Sequence, residues 1–324
     1  MKRWLGKAET ALGNHSDRLN AINIFPVADG DTGTNLYLTV RAAVQALNEA
    51  SGTEDDQASA DVGAVLAAAG QAALENARGN SGTLFSVFLC AAAEPLAGEA
   101  RLSAPLLAAA LNRAQIRAWS ALSDPVPGTM LSVMEAAARA AGAVDASQNG
   151  DDSNQALGLA LDAAVEAAVD AVVRTEDQLD ALHAAHVVDA GGVGMLLILD
   201  CLRSAVLGEE LQSELLDGLH GYDVQDPHIH EDLPDDDGVE VMCTISLSPL
   251  DAATLRQRLD EIGDSVIMSQ LAASPEEDGT YRWRVHVHVP EPDTAVALIR
   301  SLGNPAELSL SELAQPQDTY GHER

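Results

Sequence analysis

The stretch "NIFPVADGDTGTN", Asn23 to Asn35, decides how the front of the chain is read. It puts an acidic, glycine-broken loop between an apolar segment and a helical pattern. Asp29 and Asp31 stand two apart, so in an extended segment both carboxylates point the same way. Gly30 lets the backbone turn tightly between them. Two convergent carboxylates serve a core badly and a hard divalent cation well. Mg²⁺ takes a few carboxylates together with phosphate oxygens and water. A helix is predicted to start near Thr34, where free amides would favour an anion. The layout suits a metal-bridged phosphate, although D-G-D also suits a plain turn and helix cap.

On either side of this loop, from the N-terminus to about Leu207, the periodicity is helical. In "TNLYLTVRAAVQALNEA" one face carries Leu36, Val40, Ala43, Val44 and Leu47. "DVGAVLAAAGQAALENA", "TMLSVMEAAARAAGAV" and "NQALGLALDAAVEAAVDAVV" behave alike, and their alanines favour helix and close helix packing. Joints such as "SDPVPG" and "ASQNGDDSN" carry turn residues. The pattern predicts an all-α domain of about eight helices over residues 1–207. Residues 208–238 read as an acidic linker. His228 and His230 within it suit a solvated loop, or else a separate weak ligand pair.

From residue 239 the period becomes two. "VEVMCTISL", "SVIMSQL", "YRWRVHVHV" and "AELSLSEL" read as strands. "DAATLRQRLDEIG", with Asp251 as N-cap, and "DTAVALIRSLG" read as helices. The order β-α-β-β-α-β is the split βαβ pattern, so a small ferredoxin-like α+β domain is predicted over 239–324.

The chain has 324 residues and is 47% hydrophobic, enough for two sizeable cores. Its formal net charge of -32 repels nucleic acid and anionic lipid. Three cysteines make no disulfide framework and fit a reducing cytosol. "MKRWLGKAETALG" is basic, but Lys7 and Glu9 interrupt it, so it is not read as a signal peptide. "GTLFSVFLCAAA", which reads as the most apolar stretch, is too short to span a bilayer. A cytoplasmic protein without membrane insertion is expected.

Two more glycine-rich junctions stand at predicted helix starts. In "ARGNSGTLFSV", Asn80, Ser81 and Gly82 could cradle phosphate. "VVDAGGVGMLL" supplies Asp189 with Gly191, Gly192 and Gly194. Helix-helix turns and close packing are the alternatives, and no Walker A ending is present. Taken in order, "NIFPVADGDTGTN", "ARGNSGT", "PVPGTMLSVMEAAA" and "VVDAGGVGM" resemble the nucleotide-binding (DhaL-type) domain of the dihydroxyacetone kinase superfamily. The likeness is closer to the ATP-binding subunit of bacterial fatty acid kinase, and it covers nearly the whole chain.

That resemblance implies an antiparallel helical barrel binding ATP with two Mg²⁺ ions at one end, followed by a domain like the kinase subunit's middle domain. It makes Asp29 and Asp31 the Mg²⁺ ligands. The third aspartate of dihydroxyacetone kinases has no counterpart, and Asn23 is the nearest candidate. It puts Thr32 and Asn35 near the phosphates and Asn80, Ser81 and Gly82 in the phosphate loop. Thr129 and Met130 would pack on adenine, and Asp189 would belong to the closing nucleotide loop. Val188 stands where dihydroxyacetone kinases have arginine, which favours the fatty acid kinase branch. The implied reaction is transfer of phosphate from ATP to a fatty-acid carboxylate presented by an acyl-binding partner protein. No general base is evident, and an ionised carboxylate needs none. A kinase for dihydroxyacetone or a related metabolite, and a non-catalytic nucleotide-binding module, are the alternatives. The subunit's further C-terminal domain, which engages the acyl carrier, is not recognisable here, so another polypeptide is expected to supply it or the acceptor differs. A homodimer is also expected.

In the second domain Cys243, His286 and His288 fall on two predicted strands. The histidines share a face, and the first and third strands of this fold are neighbours, so Cys243 is expected to meet both imidazoles. One thiolate and two imidazoles at about 2.0–2.3 Å suit tetrahedral Zn²⁺ with an open position. A small buried cysteine beside two surface histidines is the alternative. The resembled middle domain is understood to hold a metal there.

Overall fold

The structure is a computed structural model, and it describes residues 1–50, 61–222, 238–271 and 274–313. Among these, nine α-helices precede the first strand. They are α1 (Lys2–Ala21), α2 (Thr32–Ala50), α3 (Val62–Glu75), α4 (Gly79–Ala93), α5 (Ala104–Ala121), α6 (Met130–Ser147), α7 (Asn154–Gln178), the short α8 (Asp180–Ala185) and α9 (Ala190–Leu207). Each long helix packs on its sequence neighbours, α7 passes to α9, and α9 returns to α1. The result is a closed ring of antiparallel helices, as short connections dictate.

Small residues make the ring tight. A Cβ added to Gly194 of α9 would lie 2.4 Å from Leu36 Cδ1 of α2. Alanines 69, 73, 114, 137, 160, 164 and 168 are buried between larger side chains such as Phe85, Phe88 and Leu12. α9, rather than the stretch at α4, is long and apolar enough to cross a membrane by length and composition. Yet 89% of its apolar window is buried in the ring, so it is the core helix.

The expected linker is partly core. α9 ends at Gly208, whose φ of +75° is a left-handed C-cap. The chain then folds back and buries Leu216, Leu219 and Tyr222. Val188 N donates to His220 O at 3.2 Å, and the Tyr222 hydroxyl lies 2.5 Å from His15 Nδ1. His228 and His230 lie outside the described residues.

The second domain is β1 (Val239–Leu247), α10 (Pro249–Asp260), β2 (Asp264–Gln270), β3 (Tyr281–Val289), α11 (Pro292–Leu302) and β4 (Ala306–Glu312). The sheet is antiparallel in the order β2-β3-β1-β4, the split βαβ arrangement. α10 begins before Asp251, at Pro249. Ser248 is its N-cap and accepts from Asp251 N at 3.1 Å, which makes Asp251 the partner in the cap.

Alternation along the strands splits the sheet into two faces. Val241, Cys243, Ile245 and Leu247 join Val285, Val287 and Val289 in the core beneath α10 and α11. Glu240, Met242 and Thr244 stand opposite His288, His286 and Arg284 on the other face. That second face is turned to the helical ring, where β2 and β3 pack on α4 and β2 on α5. Ile267 and Leu271 belong to the helical core itself.

Candidate nucleotide and metal site

The α1–α2 junction is built around two asparagines. Asn20 Oδ1 accepts from Gly33 N at 2.8 Å and from Thr34 N at 3.1 Å. These amides of α2 are therefore already paired, and this helix start is not the free anion cradle expected from the sequence. The buried Asn23 donates through Nδ2 to Asp29 Oδ1, and its Oδ1 accepts from Thr32 Oγ1 at 2.8 Å. Asn23 thus holds Asp29 in place and has its amide nitrogen turned to the carboxylate. Burial, and next the adjacent Asp31 charge, raise the Asp29 carboxyl to about 7. Two carboxylates forced together and partly dehydrated invite a proton or a cation between them.

The start of α4 faces this pair. Gly79 opens the helix at φ +57°, where a side chain would be strained, and a Cβ there would lie 2.4 Å from Asn35 Nδ2. Asn35 is buried against that glycine. Asn80 Oδ1 is buried without a hydrogen-bond partner among the described residues, and Ser81 is buried beside it. Gly82 does something else. A Cβ on it would meet Thr39 Oγ1 at 2.4 Å, so its smallness serves the contact of α4 with α2.

Thr129 caps α6, accepting weakly from Leu131 N at 3.4 Å and donating to Val126 O at 2.9 Å. Asp189 caps α9. Its carboxylate accepts from Gly192 N at 2.6 Å and from the Met130 amide, joining the starts of α9 and α6. Burial raises this carboxyl to about 7 against the lowering effect of those two amides.

These elements surround a cavity of about 710 Å³. Pro26, Leu84, Val126 and Met130 give it an apolar part, while Thr32, Asn80, Ser81 and Asp189 give polar groups. A smaller hollow continues past Thr32, Asn80 and Ser81 to Asn23, Asp29, Asp31 and Asn35. The volume and mixed lining suit a ligand with a flat apolar head and a polyanionic tail. All the expected nucleotide residues except Gly82 line one or both spaces.

The second domain contributes what the sequence reading missed. Gly263, Asp264, Ser265 and Val266 line the large cavity, and His288 lines the small one beside Asp29 and Asp31. Glu240 accepts from the Gly79 amide, and burial followed by the Asp31 charge raises it to about 7.

Cys243 is not with the histidines. It lies opposite Val285, in the core under α10 and α11, where burial pushes its thiol up to about 12. The strand pleat sends it to the wrong face, and Glu240 takes the third place. Ligand atoms of Glu240, His286 and His288 lie within 4.8 Å of one another. His286 is fully buried, and among the described residues neither ring nitrogen has a hydrogen bond, although Nδ1 is 3.4 Å from Glu240 Oε1. Burial, then His288 and Arg284, hold His286 well below its usual range and so neutral. Two imidazoles and a carboxylate, with the His286 ring nitrogens unpaired among the described residues, fit a divalent cation such as Zn²⁺. The signal was present in "VEVMCTISL", where Cys243 shares its parity with the apolar residues and Glu240 does not.

Residues 26–204, more than half of the chain, match the DAK2 domain family. The chain belongs to that family. In this DAK2 domain protein, residues 238–319 also match the middle domain of the FakA-like fatty acid kinase family. The two matches support a nucleotide-binding, kinase-related subunit. Two relatives are the uncharacterized proteins SAB1090 and SAUSA300_1119 of Staphylococcus aureus (strains bovine RF122 / ET3-1 and USA300). Each is 27% identical over 289 residues, which is 87% of this chain and 49% of theirs. The chain thus spans about half the length of the curated relatives it matches. Among solved structures it is similar to the dihydroxyacetone kinase from C. freundii in complex with AMP-PNP and Mg²⁺. The TM-score is 0.45 and the identity 21%, over 63% of this chain and 33% of that one. The native form of that kinase gives a TM-score of 0.43 and 19% identity, over 63% and 34%.

Proposed function

We propose that this DAK2 domain protein is an ATP-dependent phosphotransferase subunit that phosphorylates the carboxylate of a fatty acid presented by an acyl-binding partner. The observation that carries the nucleotide part is the Asp29–Asp31 pair set against Asn80 and Ser81 at the narrow end of a nucleotide-sized cavity. Mg²⁺, when bound, would neutralise phosphate oxygens, and Asp29 and Asp31 are the residues to hold it. Asn80 and Ser81 would orient the phosphates, and the apolar wall at Leu84 and Met130 would take the base. Positioning of this kind is most of what phosphoryl transfer asks of a protein.

The acceptor assignment is supported by the match to the fatty acid kinase-like middle domain. It is also supported by charge. A surface at -32 repels a free carboxylate, so a carrier that buries the tail and presents the head group suits it. The Glu240–His286–His288 cluster is proposed to hold Zn²⁺ or a similar cation.

The test is ADP release from Mg-ATP with free fatty acids, with dihydroxyacetone, and with fatty acids loaded on candidate acyl-binding proteins. Turnover only with the loaded carrier is the expected result. Fast turnover on dihydroxyacetone alone would replace the acceptor by a small hydroxylated metabolite. ATP binding without turnover under every condition would leave a regulatory nucleotide-binding module.

A further inference from the structure

The large cavity has one wall that the helical ring does not supply. Gly263, Asp264, Ser265 and Val266, at the start of β2, form it. This wall is tied to the loop that follows α5. Ser123 N donates to Val266 O at 3.1 Å, and Leu122 bridges to Ile267. Arg256 of α10 completes the tie. Its Nε donates to Ser123 Oγ at 2.8 Å, and its Nη2 donates to Ala121 O at 3.0 Å and to Ser120 O at 3.2 Å.

The carbonyls of Ser120 and Ala121 are the last of α5, where no intrahelical donor remains. A guanidinium also suits the negative end of a helix. A residue of the second domain therefore caps a helix of the first. The capped helix leads straight into Leu122, Ser123, Asp124 and Val126, which line the cavity. Ser265 adds to the picture, held at φ +53° in the β2 wall beside Val266, a conformation that a non-glycine residue keeps only when its surroundings impose it.

We propose that nucleotide binding and docking of the sheet domain on the helical ring are one coupled equilibrium, with Arg256 the positioning residue that fixes the loop from Leu122 to Thr129 over the base end of the pocket. The inference rests on the nucleotide reading given above. A ligand that touches both walls binds the docked form best, so it tightens docking, and docking tightens the ligand by the same factor. A ligand confined to the phosphate end, at Asn80, Ser81 and the aspartates, touches neither the loop nor β2 and meets the sheet domain only at His288, so it feels Arg256 much less.

The experiment uses the full chain as wild type, Arg256→Ala and Arg256→Lys. Calorimetry with Mg-ATP and with Mg-tripolyphosphate is combined with hydrogen exchange at the Ser123 amide. Arg256→Ala is expected to weaken Mg-ATP by about tenfold or more, the size of a typical coupling between sites, and to weaken tripolyphosphate by much less. Arg256→Lys, which keeps the charge but not the fork, recovers part of the loss. Mg-ATP slows exchange at Ser123 in the wild type and does so much less in Arg256→Ala. Wild-type affinity for Mg-ATP in Arg256→Ala overturns the inference alone. So does an equal loss of both ligands with Ser123 protection intact, which is the mark of general damage. A wild type that binds neither ligand overturns the nucleotide reading, and this coupling with it.

Discussion

Glu240 of β1 accepts a hydrogen bond from the backbone N–H of Gly79, the first residue of α4. One contact thus joins the histidine-bearing face of the sheet to the helix start that lines the phosphate end of the pocket. His288, next to Glu240 across the strands, opens into the same hollow as Asp29 and Asp31. The two candidate cation centres therefore share a boundary, and changes at one are readable at the other.

Asp31→Asn separates function from stability. It removes one candidate ligand, and Mg-ATP affinity by calorimetry is expected to fall about a hundredfold, as for a lost charge-assisted contact of roughly 2–3 kcal/mol. It also relieves the like-charge pressure on Asp29 and Glu240. The melting temperature in metal-free buffer should therefore rise. An unchanged affinity would remove the pair from the binding site.

Metal content discriminates Glu240 from Cys243. Protein purified without a tag and analysed for bound metal should keep it in Cys243→Ser and lose most of it in Glu240→Ala and His286→Ala. Loss in Cys243→Ser alone would mean that the thiol, and not the carboxylate, completes the set.

Asp189 makes stability pH-dependent. Its carboxyl rises from 3.8 to about 7 on folding. The folded state therefore binds the extra proton between those values, and stability from this group is present below about 4 and lost as pH rises through 7. Asp189→Asn cannot ionise. Urea denaturation at pH 5 and at pH 7.5 should show the variant gaining on the wild type at the higher pH. A difference independent of pH would contradict the buried, uncharged state.

Gly79→Ala tests the junction of α2 and α4. Alanine at φ +57° costs roughly 1–2 kcal/mol, and its Cβ would also press on Asn35. Both lower stability and weakened Mg-ATP binding are expected, read by denaturation and calorimetry. Gly82→Ala should cost stability through Thr39 with a smaller effect on binding, because Gly82 lines neither cavity.

Sequence by itself determined the order and type of elements. Periodicity along the chain follows from backbone geometry, so the ring helices and the β-α-β-β-α-β order were legible; Asp29, Asp31, Asn80, Met130 and Asp189 were grouped by the family resemblance rather than by periodicity, and they line the two adjoining hollows. Tertiary structure decided which groups meet across elements. Asn20 had to be seen against α2 to show that the amides of Gly33 and Thr34 are taken. The strand register had to be known before Glu240, and not Cys243, could stand with His286 and His288. The burial of Tyr222 beyond the last ring helix depended on a surface that only the closed ring provides. A side chain's face is local information, but its partner is set by packing between segments far apart in the chain. The placement of β2 and Arg256 against the end of α5 belongs to that second kind, for no local pattern links residue 256 to residues 120–123.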